Sequence, residues 1–315
     1  MTDISRSLRH LTLRQLRTFR MVARQLNLSA AARELHLTQP AVSGQLRELE
    51  ACCGLPLYER AGRGIRLTQA GEELAGCAAA VLDQLRISQE RLDAMRGLQT
   101  GVLRLGAVST AKYFAPSMLA AFTALHPGLS VEFAVGNRAE MITRLARGDS
   151  DLVIMGRPPP EIETEGVAFA EHPLVIIAAP THALAAKPRI TLRELKHENF
   201  LVRERGSGTR ATMEALFDRP QLGYRAGMEM SSNETIKQAV MAGMGISLIS
   251  VHTVALEVQT GRLRVLPVED TPVIRTWYSL WLAGRRLSPL ASAFHDWLQA
   301  HGAACIARSV GPASV

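Results

Sequence analysis

Residues 37–53, LTQPAVSGQLRELEACC, contain the pattern that decides the fold of the N-terminal part of this chain. Thr38 is a typical helix N-cap, and Pro40 falls in the first turn of the helix that follows, where its missing N–H leaves no hydrogen bond unmade. Apolar residues then recur at steps of three and four, which predicts an α-helix with a buried stripe. The stripe consists of Val42, Leu46, Leu49 and Cys53.

The opposite side of this helix carries short polar side chains, one guanidinium and small neighbours, at Gln39, Pro40, Ser43, Gly44 and Arg47. Gln39, Ser43 and Arg47 are spaced four residues apart and therefore share one face. Side chains of these types recognise base edges, and small neighbours allow a helix to lie deep in a major groove. We therefore predict a DNA-recognition helix.

Two further helices are predicted before it. Residues 12–26 form an amphipathic helix with Thr12 as N-cap, and a short second helix follows from Ser29 as N-cap, through three alanines, to Leu35. A turn of about four residues separates the second helix from the third, and the alanines allow the two to approach closely. This arrangement is typical of a helix-turn-helix.

Residues 57–60 and 65–68 predict the two strands of a β-hairpin, joined by residues 61–64. Such a hairpin forms the wing of a winged helix-turn-helix, and its arginines can reach phosphate or the minor groove. We expect DNA contacts from the helix starts, the recognition face and the wing, at Ser29, Thr38, Gln39, Pro40, Ser43, Gly44, Arg47, Arg60 and Arg63.

Positive charge is concentrated in this part of the chain. Residues 1–68 contain eleven arginines and five acidic residues, whereas residues 69–315 contain 25 basic and 24 acidic residues. A local excess of this kind indicates a nucleic acid or an anionic membrane as partner, or else only a solvated basic face. The sequence shows no signal peptide and no run of about 18 apolar residues, so we expect a cytoplasmic protein without a membrane partner.

From residue 70 the apolar residues alternate steps of four and three, at Leu74, Ala78, Val81, Leu85, Ser88, Leu92 and Met95. This heptad pattern predicts a linker helix over residues 69–98. A helix of ~27 residues spans ~40 Å and is too exposed to be stable alone. We expect it to pair with the same helix of a second copy; the alternative is that it packs on the domain that follows.

Residues 99–315 alternate short strands with helices, which is typical of an α/β domain with a largely parallel sheet. Two such sets follow each other, so we predict two lobes with a cleft between them, an architecture like that of periplasmic binding proteins. Lobe I comprises about 101–171 and 275–305, and lobe II about 172–274. With residues 1–68 as the winged helix-turn-helix and 69–98 as the linker, the chain has three parts.

Four predicted strands of this domain are followed by Ser, Thr or Asn at the start of a helix. Ligands of parallel sheets bind beyond the carboxyl ends of strands, where helix N-termini attract anions. Arg203, Arg205 and Arg210 surround Gly206-Ser207-Gly208, a segment suited to phosphate or carboxylate. Each turn alone could be an ordinary helix cap, but together they predict a small anionic effector bound by Ser109, Thr110, Lys112, Asn137, Arg203, Ser207, Gly208, Thr209, Arg210, Asn233, Glu234 and Thr235.

Motifs of catalysis and cofactor binding are missing from the sequence. It contains no GxSxG nucleophile elbow, no P-loop and no complete dinucleotide fingerprint. The nine histidines have no zinc-binding spacing, and the four cysteines form neither a metal-ligand nor a disulfide pattern. We expect no catalytic residue, no metal, no cofactor and reduced cysteines, with a redox sensor at Cys52 and Cys53 as the alternative.

Residues 11–68, and especially Leu37-Thr38-Gln39-Pro40-Ala41-Val42-Ser43, resemble the LysR-type transcriptional regulators, and the resemblance extends over nearly the whole chain. Four segments are similar to the Calvin-cycle (cbb operon) regulators within that family: Lys112–Pro116, Met155–Pro159, Gly206–Arg210 and Ser232–Val240. The resemblance implies a dimer of dimers, upstream DNA sites and RNA polymerase as a partner. It also implies activation of CO2-fixation genes in response to ribulose 1,5-bisphosphate, phosphoenolpyruvate or NADPH.

By position, the resemblance implies base contacts from Gln39, Pro40 and Ser43, a DNA-backbone contact from Arg60, and effector contacts from residues 109–110, 207–210 and 233–235. Gly44 departs from the many relatives that carry a larger residue there, which bears on the base preference. Two alternatives stay open. One is a LysR-type regulator of another metabolic operon; the other is a small-molecule-binding protein or enzyme of binding-protein fold with an attached DNA anchor.

Overall fold

The computed structural model describes residues 10–62, 64–95, 101–218 and 222–310. The chain divides into two compact units, one of residues 1–96 with 146–148, the other of residues 97–145 and 149–315. Among the helices in the described ranges, none combines the length and the apolar composition needed to cross a membrane.

Three helices form the core of the first unit: α1 (Leu13–Gln25), α2 (Leu28–Glu34) and α3 (Gln39–Cys53). Thr12 caps α1 and Thr38 caps α3, as predicted, and four residues separate α2 from α3. The helix-turn-helix is therefore confirmed. Val42, Leu46 and Leu49 are fully buried as predicted, whereas Cys53 at the end of the stripe is half-buried.

The predicted N-cap of α2 is wrong. Asn27, not Ser29, caps this helix, because its side-chain oxygen accepts a hydrogen bond from the backbone N–H of Ala30 at 2.9 Å. An asparagine two residues earlier is an equally strong cap, and Leu28 after it adds an apolar contact to the core. Ser29 consequently lies exposed in the first turn of the helix.

The predicted wing is present as two antiparallel strands, β1 (Tyr58–Ala61) and β2 (Gly64–Leu67). The linker helix α4 (Gln69–Met95) follows at once, and its first turns pack on the core of the unit through Ala70, Leu74 and Ala75. Farther along α4, the heptad residues Val81, Leu85 and Leu92 are 37%, 44% and 52% exposed. Their pairing with a second copy stays a prediction.

The second unit begins with lobe I, built on the parallel strands β3 (Gly101–Val108), β4 (Leu129–Gly136) and β5 (Leu152–Met155). A 3-10 helix (Ser109–Tyr113) and α5 (Ala115–Leu125) follow β3, α6 (Arg138–Ala146) follows β4, and the late helix α10 (Pro289–Val310) returns to this lobe. Its core is aromatic, with Phe114, Phe122, Trp277 and Phe294 fully buried in contact with one another.

Lobe II contains the parallel pair β7 (Asn199–Arg203) and β8 (Arg225–Met230), with α7 (Gly208–Phe217) after β7 and α8 (Asn233–Met241) after β8. The short elements β9 (Ser247–Ser250), α9 (Ala255–Gln259) and β10 (Arg264–Val265) complete it. Separate apolar clusters cover its two faces, one around Phe200 and one around Leu201.

Two long strands connect the lobes: β6 (Thr164–Ala178) and β11 (Val273–Leu282), called the crossing strands below. They are antiparallel from Leu282 opposite Thr164 to Val273 opposite Leu174. Strand β11 also pairs with β5 of lobe I, and β6 pairs with β9 and β10 of lobe II, so a mixed sheet extends through both lobes. The expectation of a largely parallel sheet is wrong, because every described pair made by a crossing strand is antiparallel.

Candidate functional site

A small pocket lies between the lobes of the second unit, where the carboxyl ends of β3, β4, β5 and β7 meet the crossing strands. This inner pocket has a volume of about 50 Å³. His172, Leu174 and Arg275 of the crossing strands form its floor. The other lining residues are Val108, Ser109, Thr110, Asn137, Arg138, Met155, Gly156, Arg157, Arg203, Glu204, Ser207, Gly208 and Thr209.

Arg275 touches both lobes from the floor. Its Nη1 donates to the carbonyl oxygen of Gly208 at 3.0 Å and to the hydroxyl of Thr212, and its Nη2 lies 3.5 Å from the carbonyl oxygen of Gly156. No carboxylate in the described part of the chain pairs with it. Burial and the charges of Arg157 and Arg138 lower the pKa of Arg275. A lowered pKa indicates that the surroundings do not neutralise the positive charge of this guanidinium.

Arg138 adds a second charge at the start of α6. It donates to the backbone carbonyl of Arg157 at 2.9 Å and so holds the segment after β5 in place. Its nearest carboxylate, that of Glu161, is 3.8 Å away, and burial lowers the pKa of Arg138 although Glu161 acts in the other direction. The side of the pocket formed by lobe I is thus strongly positive.

The N-terminus of α7 supplies hydrogen-bond donors on the opposite side. Ser207 is its N-cap, yet the Ser207 side chain makes no capping hydrogen bond, so its hydroxyl is available to a ligand. The first backbone N–H groups of a helix have no partner within the helix and attract anions. Ser207 and Thr209 are both more than 90% buried and line the pocket.

Arg203 is arranged differently from the other arginines. It is 5% exposed, its Nε and Nη2 donate to the Glu204 carboxylate at 2.7 and 2.8 Å, and its Nη1 donates to Asn233 Oδ1. Its charge is therefore neutralised within the protein. Arg203 therefore holds the wall of the pocket in place and adds little to the positive electrostatic potential of the pocket.

Two buried histidines flank Trp277 beneath the pocket. His172 stacks on Trp277 with ring centroids 4.0 Å apart, and the indole Nε1 of Trp277 donates to His252 Nδ1 at 3.2 Å. Burial lowers the pKa of His252 to about 4. Burial, with His252 and Arg275 adding to it, lowers the pKa of His172 well below its usual value, so both imidazoles are neutral at pH 7.

A wider outer groove of about 490 Å³ adjoins the inner pocket and shares Arg138, Arg157, Ser207, Gly208 and Arg275 with it. Arg205 and Arg210 belong to this groove. The guanidinium of Arg210 lies 2.6 Å from the Glu214 carboxylate and 3.6 Å from that of Glu229. Arg210 thus faces carboxylates of its own lobe.

A second group of residues joins the lobes beside the pocket, and we call it the interlobe latch. The Tyr113 hydroxyl of lobe I donates to the Glu234 carboxylate of lobe II, and Asn233 Nδ2 donates to the Thr110 hydroxyl at 3.3 Å. Lys237 also contacts the latch: its Nζ lies 3.0 Å from the Glu234 carboxylate and 4.9 Å from the centre of the Tyr113 ring. These contacts join the two lobes beside the pocket.

The structure brings together seven of the predicted effector residues at the inner pocket: Ser109, Thr110, Asn137, Arg203, Ser207, Gly208 and Thr209. The other five are outside its lining, at Lys112, Arg210, Asn233, Glu234 and Thr235. Asn137 also caps α6, through hydrogen bonds with Glu140. Asn233 and Glu234 serve the latch, and Thr235 is exposed. Direct ligand contacts of all twelve residues stay predictions.

Sequence reasoning missed the three arginines that make the pocket positive, Arg138, Arg157 and Arg275, and the neutral His172 beside them. Arg138 follows Asn137 in a turn that was singled out, so its position was within reach of the sequence pattern. His172 and Arg275 carry no such signal. They lie within strands and enter the site only through the pairing of β6 with β11.

In the first unit, the predicted DNA-reading face of α3 is accessible. Thr38, Gln39, Pro40 and Arg47 are exposed, as are Ser29 on α2 and Arg60 on the wing. Ser43 and Gly44 are half-buried, and a Cβ placed on Gly44 would meet no atom within 4 Å. Arg63 lies outside the described residues. The contacts of all these residues with DNA stay predictions.

Known protein families account for both units. The model of the bacterial regulatory helix-turn-helix protein, lysR family, matches residues 13–72, and that of the LysR substrate binding domain matches residues 96–303. The chain belongs to the LysR family. This LysR-type regulator is 48% identical to the HTH-type transcriptional regulator CbbR of Rhodospirillum rubrum, over 93% of the chain and 97% of the relative.

Two further relatives bear on the function. A RuBisCO operon transcriptional regulator of Allochromatium vinosum is 45% identical, over 93% of this chain and 97% of that protein. Among solved structures, the Synechocystis PCC6803 CcmR regulatory domain in complex with 2-PG is 41% identical and has a TM-score of 0.61. The similarity covers 64% of this chain and 97% of that domain.

No group of three or more His, Cys, Asp or Glu side chains in the described ranges could hold a metal ion. All four cysteines are free, with Cys52 and Cys53 half-buried. Burial raises the pKa of the Cys53 thiol, with Cys52 and Glu50 adding to the effect. A raised thiol pKa disfavours the reactive thiolate, which weighs against the alternative of a redox sensor at this pair.

Proposed function

We propose that this LysR-type regulator binds promoter DNA as a homo-oligomer and controls CO2-fixation (cbb) genes in response to a small anionic metabolite. The observation that carries the proposal is the charge of the inner pocket. Arg275 has no carboxylate partner among the described residues, and Arg138 and Arg157 stand close enough to lower its pKa. A ligand with phosphate or carboxylate groups would neutralise these charges through charge-assisted hydrogen bonds.

The identity of the regulated genes is supported by the relatives. Proteins named as regulators of the RuBisCO operon share 41% and 45% of their residues with this chain over more than nine-tenths of its length. Activation of transcription with RNA polymerase as the partner, and a dimer of dimers as the assembly, belong to the same proposal. The DNA contacts would come from the accessible face of α3 and from the wing.

The small volume of the inner pocket favours compact candidate effectors over large ones. Pockets for drug-sized ligands measure roughly 300–1,000 Å³, whereas the inner pocket measures about 50 Å³. A compact anion such as phosphoenolpyruvate could place one charged group in the inner pocket and a second in the outer groove. Ribulose 1,5-bisphosphate and NADPH would require the lobes to separate, and are expected to bind only if the latch opens.

The proposal is tested by footprinting on the DNA upstream of the gene for this protein and of its divergent neighbour, and by calorimetry with the candidate effectors. Phosphoenolpyruvate, ribulose 1,5-bisphosphate and NADPH are titrated beside glucose as an uncharged control. We expect at least one anion to bind and to alter the footprint, since a ligand that prefers one conformation shifts the population. If no anion binds, or no upstream DNA is protected in preference to scrambled DNA, the proposal is wrong. Turnover of an added substrate would favour an enzyme instead.

A further inference from the structure

His172 is buried with its hydrogen-bonding groups unused. The residue is 6% exposed, and neither Nδ1 nor Nε2 has a hydrogen-bond partner among the described residues. Its ring packs flat against Trp277, 4.0 Å between centroids, and lies 5.9 Å from the ring of His252. The stacking needs an aromatic ring but neither of the nitrogens.

Burial of a polar group without a partner is costly, so an apolar ring of the same shape would suit this position better for stability. His252 shows the contrast, because its Nδ1 accepts a hydrogen bond from the Trp277 indole. His172 is thus a polar group whose presence the packing of the lobe does not explain. Unpaired buried polar groups of this kind are often functional.

His172 is also placed to meet a ligand. It lines the inner pocket, and it stands directly opposite Arg275 in the pairing of the crossing strands. Nδ1 of His172 faces Gly156, and the missing side chain gives the ring room there, since a Cβ at residue 156 would lie only 3.1 Å from that atom. The unpaired imidazole and the unneutralised guanidinium therefore both border one small compartment.

The chemistry of the pocket indicates what His172 would recognise. Arg275, Arg138, Arg157 and the start of α7 all supply hydrogen-bond donors, which phosphate and carboxylate oxygens satisfy. A neutral imidazole also offers an acceptor, and an ionised phosphate or carboxylate has no proton to give it. Two other acceptors nearby already take hydrogen bonds from arginines, Glu204 from Arg203 and the Gly208 carbonyl from Arg275. The Ser207 hydroxyl can accept as well as donate, so His172 is the ring acceptor of the site beside weaker hydroxyl acceptors.

We propose that His172 is a specificity-determining residue of the effector pocket, whose neutral imidazole accepts a hydrogen bond from a hydroxyl group of the ligand while Arg275 binds the ligand's anionic group. The effector class is then a small phosphorylated hydroxy acid. The inference rests on the proposed function, since it assumes that the inner pocket binds an anion. It adds that the ligand must carry a hydroxyl group and that His172 binds this hydroxyl.

Two ligands that differ only by the elements of water test the proposal on the full-length protein. 2-Phosphoglycerate has the carboxylate, the phosphate and a hydroxyl, and phosphoenolpyruvate has the first two alone. Calorimetry should show that the wild-type protein binds 2-phosphoglycerate at least about 10-fold more tightly, as expected when a site satisfies a ligand hydroxyl with a buried partner. Equal affinities for the two ligands would overturn the inference.

The His172→Phe variant keeps the stack on Trp277 and removes both nitrogens. It should bind 2-phosphoglycerate about 10-fold more weakly and phosphoenolpyruvate nearly as the wild type does, with an equal or higher melting temperature. His295→Phe is the control, because His295 packs on Trp281 in lobe I and is outside the pocket lining. If His172→Phe is poorly folded, His172→Gln, which retains an acceptor, should preserve the preference for 2-phosphoglycerate.

The outcomes separate the two proposals. If the wild-type protein binds neither anion, the anion-responsive function fails, and the inference with it. If both anions bind and His172→Phe retains the wild-type affinities, the function stands and His172 is only a core residue. An equal loss for both ligands would also overturn the hydroxyl assignment, because it would show that His172 acts on the shared anionic groups.

Discussion

Arg275 on β11 lies directly opposite His172 on β6, and both residues line the inner pocket. Opposed residues of an antiparallel pair present their side chains on the same face of the sheet. The floor of the pocket is thus formed by the two strands that connect the lobes. Any movement of one lobe relative to the other involves these two strands. A ligand held by Arg275 would therefore bind at the connection between the lobes, and its binding would be coupled to their arrangement.

Replacement of Arg275 should cost the protein its effector. Arg275→Gln removes a half-buried charge without a carboxylate partner among the described residues, and we expect anion affinity to fall about 10- to 100-fold, the range of a charge-assisted hydrogen bond. Arg210→Gln is the control, since Glu214 and Glu229 already engage that guanidinium. Calorimetry measures both, and an effect at Arg210 as large as that at Arg275 would contradict the placement of the site.

The interlobe latch should set how readily the lobes close. Burial raises the pKa of Tyr113, and its hydrogen bond to Glu234 adds to the shift. Burial raises the pKa of the Glu234 carboxyl, but hydrogen bonds from Tyr113 and Lys237 outweigh it, and the net shift is downward. Tyr113→Phe removes one such bond, worth about 1 kcal/mol, and should weaken the binding of a compact effector such as phosphoenolpyruvate about fivefold.

Tyr58→Phe provides the control for the latch, because Tyr58 lies on β1 of the wing, in the other unit of the chain. This variant should bind effector as the wild type does. Unchanged affinity in Tyr113→Phe would show that the latch does not influence the binding-competent arrangement.

The buried histidines predict a loss of stability in mild acid. An unfolded chain protonates histidine near the ordinary pKa of 6.5, whereas the folded protein resists protonation of His252 down to about pH 4. The unfolded state then binds more protons, so the free energy of unfolding decreases as the pH falls from about 6.5 towards 4. For His252 alone the loss is on the order of 3 kcal/mol across this interval.

His172 should add to the same loss, since its pKa is also lowered. Urea unfolding of the wild type and of His172→Phe at several pH values between 7.5 and 4.5 measures this. The curve of the variant should be shallower by up to ~1.4 kcal/mol per pH unit. Parallel curves would show that His172 is not a neutral group in the folded state.

Gly44 offers a test of the DNA-reading face. An added methyl would meet no atom within 4 Å, and alanine favours a helix interior over glycine, so Gly44→Ala should raise stability by about 0.5–1 kcal/mol. The same methyl would project beside Ser43 and Arg47 and should weaken operator binding. Gly76→Ala in α4 also meets open space and should stabilise the protein without affecting DNA. Normal operator affinity in Gly44→Ala would remove this residue from the interface.

The heptad residues of α4 should hold the assembly together. Leu85 is 44% exposed in the single chain, and Leu85→Asp would place an unpaired carboxylate in an apolar seam between copies. Sedimentation should show a smaller species, and operator affinity should be lost. The control is Gln84→Asp, which adds the same charge next to the seam. An unchanged oligomer in Leu85→Asp would contradict the role of the linker helix.

Local patterns in the sequence were sufficient to predict the helix-turn-helix, the wing, the linker helix and most of the strands and helices of the α/β domain, but not α9, β10 or the first part of β6. Each depends on residues a few positions apart: Thr38 and Pro40 at a helix start, or apolar residues at regular steps. The one cap that was misplaced, Ser29 instead of Asn27, reflects two capping residues close together in the sequence. The turns at Ser109, Asn137 and Ser207 also line the pocket, because they follow the carboxyl ends of β3 and β4 in one sheet and of β7 in the facing lobe.

Only the tertiary structure decided which charges the pocket contains. Strand pairing brings His172 to Arg275 across about a hundred residues of sequence, and no local pattern marks either one. The direction of a side chain was also decided only in the folded chain. Arg275 lines the inner pocket, whereas Arg210 turns to Glu214, although Arg210 lies in the segment that the sequence favoured. The physical reason is that backbone propensity is a local property, whereas burial, ion pairing and desolvation depend on neighbours that only the folded chain supplies.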